Sequence, residues 1–569
     1  MIKFFLACFF IFTSPLLSQG LNDFNSSSIA ISEIEKKKLF PLGSNENDEI
    51  SVFKNLFNNK SFDQIKLFLD NLPTNNPNHS VQNLVSRILN SNFDLTSVEL
   101  SKNNDLELFE KRINKLFETA EFTAIDKIYS KISIDTNNDN INLKRIEALF
   151  LRNEYQSACN ILNESVFKES YLTGKFDIIC SIYKQDYEKA RFNLSLLKEK
   201  NEPGDGLFID LCYKIMGDIN LSDTDIQFKK LDTIKSLNPI LLSSLQIAEI
   251  SPSFEQVKNA PSSFLTFILS SPTSSLDVKL FTAEKLVKQK QIDNSMLAEI
   301  YQLITFEKTE IANALQNYKK FSPVRSRSLL YQALILEKDS NVRFQIIKSL
   351  LKQSKNDKLF SNISFLIKNS VNFFELDNLE SEDINLIIEI FYCNENFDMV
   401  DAFSDHISKL VSENKLKGED FKNFDSKLIV AKISKYLKQK NNFDLKDFEI
   451  YLDKVLLEKT ISKEVRNIIL ISNIVFDFND EINSKIFDIN DKIEEEKINS
   501  NIIDFYTGLK FSNKNDLFNS LKIIFKILNK KEFVDLDELE VFLVLKVFYD
   551  LGFVEIFDSL SKDYFLYKI

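Results

Sequence analysis

The feature that most constrains this chain is a recurring turn. Ala120-Glu121-Phe122-Thr123-Ala124-Ile125, Asn153-Glu154-Tyr155-Gln156-Ser157-Ala158 and Gln185-Asp186-Tyr187-Glu188-Lys189-Ala190 align on aromatics at 122, 155 and 187, spacings of 33 and 32 residues. Each aromatic follows a small or polar break and stands three residues before a small or aliphatic side chain. Apolar helical runs flank the breaks, as in Leu143 to Phe150 and Cys159 to Phe167 around Tyr155. The ring closes the gap between paired helices, and the small residue lets the second helix approach. A lone hairpin cannot bury its apolar face, so this period implies hairpins that stack. Two earlier units are expected at Phe62 and Phe93, and Gly217-Asp218 repeats Gln185-Asp186. The same turn grammar returns at Asn396-Phe397-Asp398 and at Leu551-Gly552-Phe553, where Gly552 suits a left-handed helix end.

Composition agrees. With 9 Gly and 10 Pro among 569 residues, the chain lacks the corner residues of β-sandwiches and barrels. We therefore expect an all-α superhelix (solenoid) of stacked antiparallel helical hairpins. Residues 49–220 read as tetratricopeptide-like repeats, 221–440 as a further helical-hairpin array, and 441–569 as C-terminal hairpins ending in Leu536 to Tyr549 against Val554 to Lys562. Ser251-Pro252 and Ser322-Pro323 each place a capping residue before Pro at a helix start. The Asn-rich segments Thr74 to His79 and Asn137 to Asn142 read as loops.

Over residues 110–220 the period and pattern resemble the tetratricopeptide repeat, whose unit is two antiparallel helices. The chain departs from that family in lacking its Trp, its Leu-Gly pair and its closing Pro, so other helical hairpins stay open. Arg325-Ser326-Arg327-Ser328-Leu329-Leu330-Tyr331-Gln332-Ala333 and Asp550-Leu551-Gly552-Phe553 resemble an uncharacterised group of exported bacterial helical-repeat proteins, a likeness that implies no activity.

Lys3 followed by the apolar run Phe4 to Phe12 and the small residues Ser18-Gln19-Gly20 reads as a secretory signal peptide over 1–20, with cleavage favoured after Gly20 and a weaker alternative after Ser18, which leaves Leu16 at −3. Residues 21–48 read as a linker. Export to the periplasm or beyond would leave Cys159, Cys180, Cys212 and Cys393. One bridge among the first three is open, and buried apolar thiols are the favoured reading.

Chemistry is scarce. The net charge of −12 and the lack of a basic tract argue against nucleic acid. No glycine pair has phosphate-loop spacing, and Gly204-Asp205-Gly206 lacks the third glycine of a dinucleotide site. Asp135 to Asp139 alternates oxygen ligands, but Asn140 and Ile146 stand where a calcium loop needs Gly and Glu. Glu494-Glu495-Glu496 reads as a solvated helix face. His79, read on a loop, and His406, on a helix from Asp401 to Leu410, adjoin no nucleophile motif. No catalytic, cofactor or metal residues are assigned. The expected function is a non-enzymatic envelope scaffold that binds protein or peptide partners, with no nucleic acid and no membrane segment after signal cleavage. The alternative is a peptidoglycan enzyme or accessory subunit using an unrecognised carboxylate pair.

Overall fold

Hairpins succeed one another because the same local chemistry stops one helix and starts the next. The computed structural model describes residues 38–45, 52–132, 139–164, 171–200, 202, 205–218, 237–376, 379–413, 422–439, 443–458, 461–476, 478–490 and 502–567. The expected signal at 1–20, the acidic run at 135–138 and Glu494 to Glu496 lie outside them. Among the described residues the regular elements are α-helices and short 3-10 turns without a strand, and no helix is long and apolar enough to cross a membrane.

Helix Lys102–Glu118 stops at Ala120, whose φ of 62° is left-handed, and Phe122–Ser130 begins two residues later. Asn153 (φ 61°), Gln185 (62°) and Gly217 (77°) repeat the stop, and Glu249 (58°) carries the 32-residue spacing one unit past the sequence reading. Each stop is closed by an N–H that donates to the carbonyl five positions back: Glu121 to Leu116 and Glu154 to Leu149 at 2.9 Å, Asp218 to Tyr213 at 3.0 Å. This pattern is the Schellman closure. It recurs at Lys290, Lys358, Glu395, Asn515 and Gly552, including both downstream turns expected from sequence. The aromatics pack back as anticipated, with ring centroids 5.2 Å apart for Phe117–Phe122 and 5.5 Å for Phe150–Tyr155. Ile125, Ala158 and Ala190 are fully buried at the helix approach.

Three local expectations are corrected. Phe62 opens a helix capped by Ser61, but Phe93 lies on non-helical backbone, its ring 4.7 Å from that of Phe57 and 4.6 Å from the Arg112 guanidinium. Aromatic packing, and not a hairpin, holds it. The cap after Ile250 is Ser253, which shares a capping box with Gln256, while Ser251 Oγ accepts the Ser275 N–H at 3.0 Å. Asn137 to Asn142 is not a loop throughout, since helix Asp139–Leu151 begins inside it and buries Ile141 and Ile146. Amphipathic packing there outweighs the local preference of Asn. Ser322 does stand at the N-cap position of Pro323–Leu336, ahead of Pro323, but its side chain makes no capping hydrogen bond.

Cys159 and Cys180 form a disulfide, Cα–Cα 5.6 Å, between helices Tyr155–Glu164 and Tyr171–Tyr183 of adjacent hairpins. The buried-thiol reading therefore fails for that pair, because stacking brings the two helices into bonding range, and it describes the free, buried Cys212.

Residues Leu39–Ile569 form one unit. At its start, Asp105 accepts the N–H groups of Leu39 (2.7 Å) and Phe40 (3.1 Å), and the fully buried Arg112 donates to the carbonyls of Phe40 (2.7 Å), Leu89 (2.8 Å) and Ser91. The end of the stretch read as linker is thus anchored. The first helices also meet the last ones: Phe68 stacks on Phe518 at 5.2 Å, and Phe57 meets both rings edge-on.

At mid-chain, the Arg325-to-Ala333 segment lies on helix Pro323–Leu336. Arg327, 1% exposed, clasps Glu284 through Nε (2.8 Å) and Nη2 (2.6 Å). The buried Tyr301 hydroxyl donates to the same Glu284 at 2.8 Å. Ser328 and Gln332 each donate to the Tyr301 carbonyl at 2.7 Å.

Two stability experiments follow. In urea unfolding, Ala120→Gly should stabilise by about 1 kcal/mol and Gly552→Ala destabilise by about as much, since the left-handed conformation penalises a Cβ and Gly552 has open space around it. Arg327→Leu should cost about 3–5 kcal/mol by stranding the Glu284 carboxylate, and adding Glu284→Leu should recover part of that loss.

Candidate functional site

The hairpin stops place long polar side chains on one cleft of about 760 Å³. Its walls are the start of helix His79–Asn90, the stops at Lys290, Lys358 and Glu395, the end of Lys422–Gln439, and helix Val554–Tyr567. A smaller pocket of about 190 Å³ shares His79, Asn83 and Lys290 with it.

Asn78 caps the first helix by accepting the N–H groups of Ser80 (3.0 Å) and Val81 (3.3 Å). This capping puts His79 on the first turn of the helix and into the cleft, not on the loop that its Asn- and Pro-rich surroundings predict. His79 Nδ1 donates to the Gln289 carbonyl at 2.9 Å. Burial, then the charge of Lys290, lowers its pKa, so the neutral ring is favoured. His406 is elsewhere, packed against Phe374 (5.5 Å) and Phe403 (6.2 Å).

The cleft carboxylates are almost all matched. Burial pushes Glu395 up, but Lys562 (2.7 Å) and Lys438 (2.9 Å) outweigh it and hold the carboxyl at about 2. Asp558 accepts the Ser434 hydroxyl at 2.9 Å and lies 3.4 Å from Lys562 and 3.6 Å from Lys438. Lys358 pairs with Glu532. Lys288 donates to the Asp357 carbonyl at 3.1 Å, and burial lowers its pKa. Asp563 differs. Its Oδ2 takes a hydrogen bond from Asn78 Nδ2 at 2.6 Å, and Asn78 Nδ2 also meets Ser559 Oγ at 3.0 Å. Burial pushes the Asp563 carboxyl up to about 6, against Asn78 and the lysines at 290, 358 and 562.

This arrangement can hold a polar chain by hydrogen bonds and charge. Among the described residues no His, Cys, Asp and Glu side chains group to hold a metal ion. Sequence reading missed the site because its walls come from turns hundreds of residues apart. The available signal was long charged side chains at left-handed stops. No family model, curated protein or solved structure matches the chain.

Asp563 also predicts a pH signature. The folded protein keeps its proton up to about pH 6, whereas a free carboxyl releases it near 3.8. Its contribution to stability is thus lost as pH rises through that window. Asp563→Asn should flatten this decline in urea midpoints measured across it, and an unchanged profile would contradict the assignment.

Proposed function

We propose that the protein is a non-enzymatic scaffold of the cell envelope, periplasmic or secreted, built as a superhelix of divergent tetratricopeptide-like hairpins. In this reading the polar cleft holds a protein or peptide partner. The observation that carries it is the cleft itself: Asn76, Asn83, Ser361 and Asn362 line a space of about 760 Å³ beside matched charges, with Asn362 Nδ2 already donating to the Val287 carbonyl and to Asn294, and Asn76 Oδ1 already accepting the Asn78 N–H. Such surroundings suit a polypeptide backbone, whose N–H and C=O groups need partners when they leave water. The Cys159–Cys180 bridge supports an oxidising compartment, in line with removal of residues 1–20 on export.

The raised pKa of Asp563 is the one observation that favours the peptidoglycan-enzyme reading. Among the described residues, the cleft carboxylate on the same helix outside any ion pair is the exposed Glu555, eight residues away. Eight residues span about 12 Å of helix, outside the roughly 5–9.5 Å between the carboxyls of a glycosidase pair. Scaffold binding is therefore preferred.

A photo-crosslinking residue at Ser361, on the cleft, should give discrete polypeptide adducts in envelope extracts, while one at Leu457, 86% exposed just past the end of helix Leu445–Leu456, should give none. The envelope-borne form should begin at Leu21. Turnover of peptidoglycan by the purified protein, or the same adducts from both positions, would overturn the reading.

A further inference from the structure

Inside the cleft Lys562, Lys438, Lys358 and Lys288 are each committed to groups other than Asp563. Lys562, its neighbour on the helix, is drawn to Glu395 (2.7 Å) and Asp558 (3.4 Å). Lys438 serves the same two acids at 2.9 and 3.6 Å. Lys358 is taken by Glu532, and Lys288 by a backbone carbonyl. Lys290 stands exposed at its helix stop and acts on Asp563 through space, with no ion pair among the described residues. Asp563 is left with one neutral amide donor at 2.6 Å.

An anion in this position is short of a counter-charge. It has lost part of its hydration, and the donors around it do not replace what water supplied. A ligand ammonium or guanidinium reaching its free oxygen would form a charge-assisted hydrogen bond. The net charge of −12 would draw such a group toward the protein from a distance.

We propose that the cleft selects a polypeptide segment carrying a Lys or Arg side chain, and that Asp563 receives its cationic head. This inference rests on the scaffold reading above and specifies the partner's chemistry. The segment's backbone lies along Asn83, Ser361 and Asn362, and Lys290 across the cleft is placed to meet a carboxylate of the same partner.

The experiment uses the full protein and three fluorescein-labelled peptides, alternating Lys/Ser, Gln/Ser and Glu/Ser, followed by anisotropy at neutral pH. The Lys/Ser peptide should bind at least about tenfold more tightly than the Gln/Ser peptide, and Asp563→Asn should remove about that factor. Asp398→Asn, the same charge change at a side chain 95% exposed, should leave binding unchanged and so separates a site from the general field. The native protein supplies a second readout: Lys/Ser binding should weaken as pH falls through about 6. The groups acting on Asp563 are Lys562 and Tyr567 on its own helix, Lys290 and Lys358, with Tyr392 and Cys393, and His79 lines the same cleft. Burial favours neutral His79, Tyr392, Cys393 and Tyr567, so Asp563 is the carboxyl that titrates there. Equal affinity of all three peptides, tighter Glu/Ser binding, or full affinity in Asp563→Asn would overturn the charge assignment and leave the scaffold reading standing. If no peptide binds and Ser361 yields no adduct, the scaffold reading falls as well.

Discussion

The left-handed residue that ends a helix is the constraint on which this structure depends. A helix leaves its last carbonyls unsatisfied, and the closure at each stop gives one of them an N–H while reversing the chain. Glycine is the usual occupant, yet Ala120, Asn153, Gln185, Glu249, Lys290, Lys358, Glu395 and Asn515 all take the role here. Each such residue costs roughly 1–2 kcal/mol relative to an unstrained backbone, offset by the burial that every hairpin gains from its neighbours. A glycine stop carries no side chain. Lysine and glutamate stops extend charged groups from the turn edges, and three of them furnish the walls of the cleft.

Two buried guanidinium groups tie distant pieces together in different ways. Arg112 answers three backbone carbonyls that no helix satisfies, and so secures Phe40 and the end of helix His79–Asn90 at Ser91. Arg327 instead meets two carboxylates, Glu284 and Asp357, and Tyr301 donates to the first of them. Both groups fix geometry more than they add stability, since desolvating an ion offsets much of its attraction.

What could be read from sequence was local. The stops at Ala120, Asn153, Gln185 and Gly552 announce themselves through a small or polar break, an aromatic and a flanking helical pattern, all within a few residues. Glu249 escaped notice because Ile250-Ser251-Pro252 follows it in place of an aromatic. Phe93 carried the right residue type at nearly the right spacing, but its ring packs on Phe57 and Arg112 from an irregular backbone. The disulfide could not be chosen among three cysteines, because the choice depends on how neighbouring hairpins stack. The cleft was the least legible feature. His79, Lys290, Lys358 and Asp563 share no motif and come together only through the packing of separate hairpins.

The packing of Phe57 and Phe68 against Phe518 also bears on how the chain reaches its folded state. Rings at the beginning of the unit are covered by residues synthesised hundreds of positions later, so this seam is closed late, after most intermediate hairpins exist. Until then an oily edge stays open to other chains, a hazard typical of large proteins that assemble in stages. A chain that crosses a membrane before folding would meet this hazard on the far side, where a holding factor could shield the waiting phenylalanines.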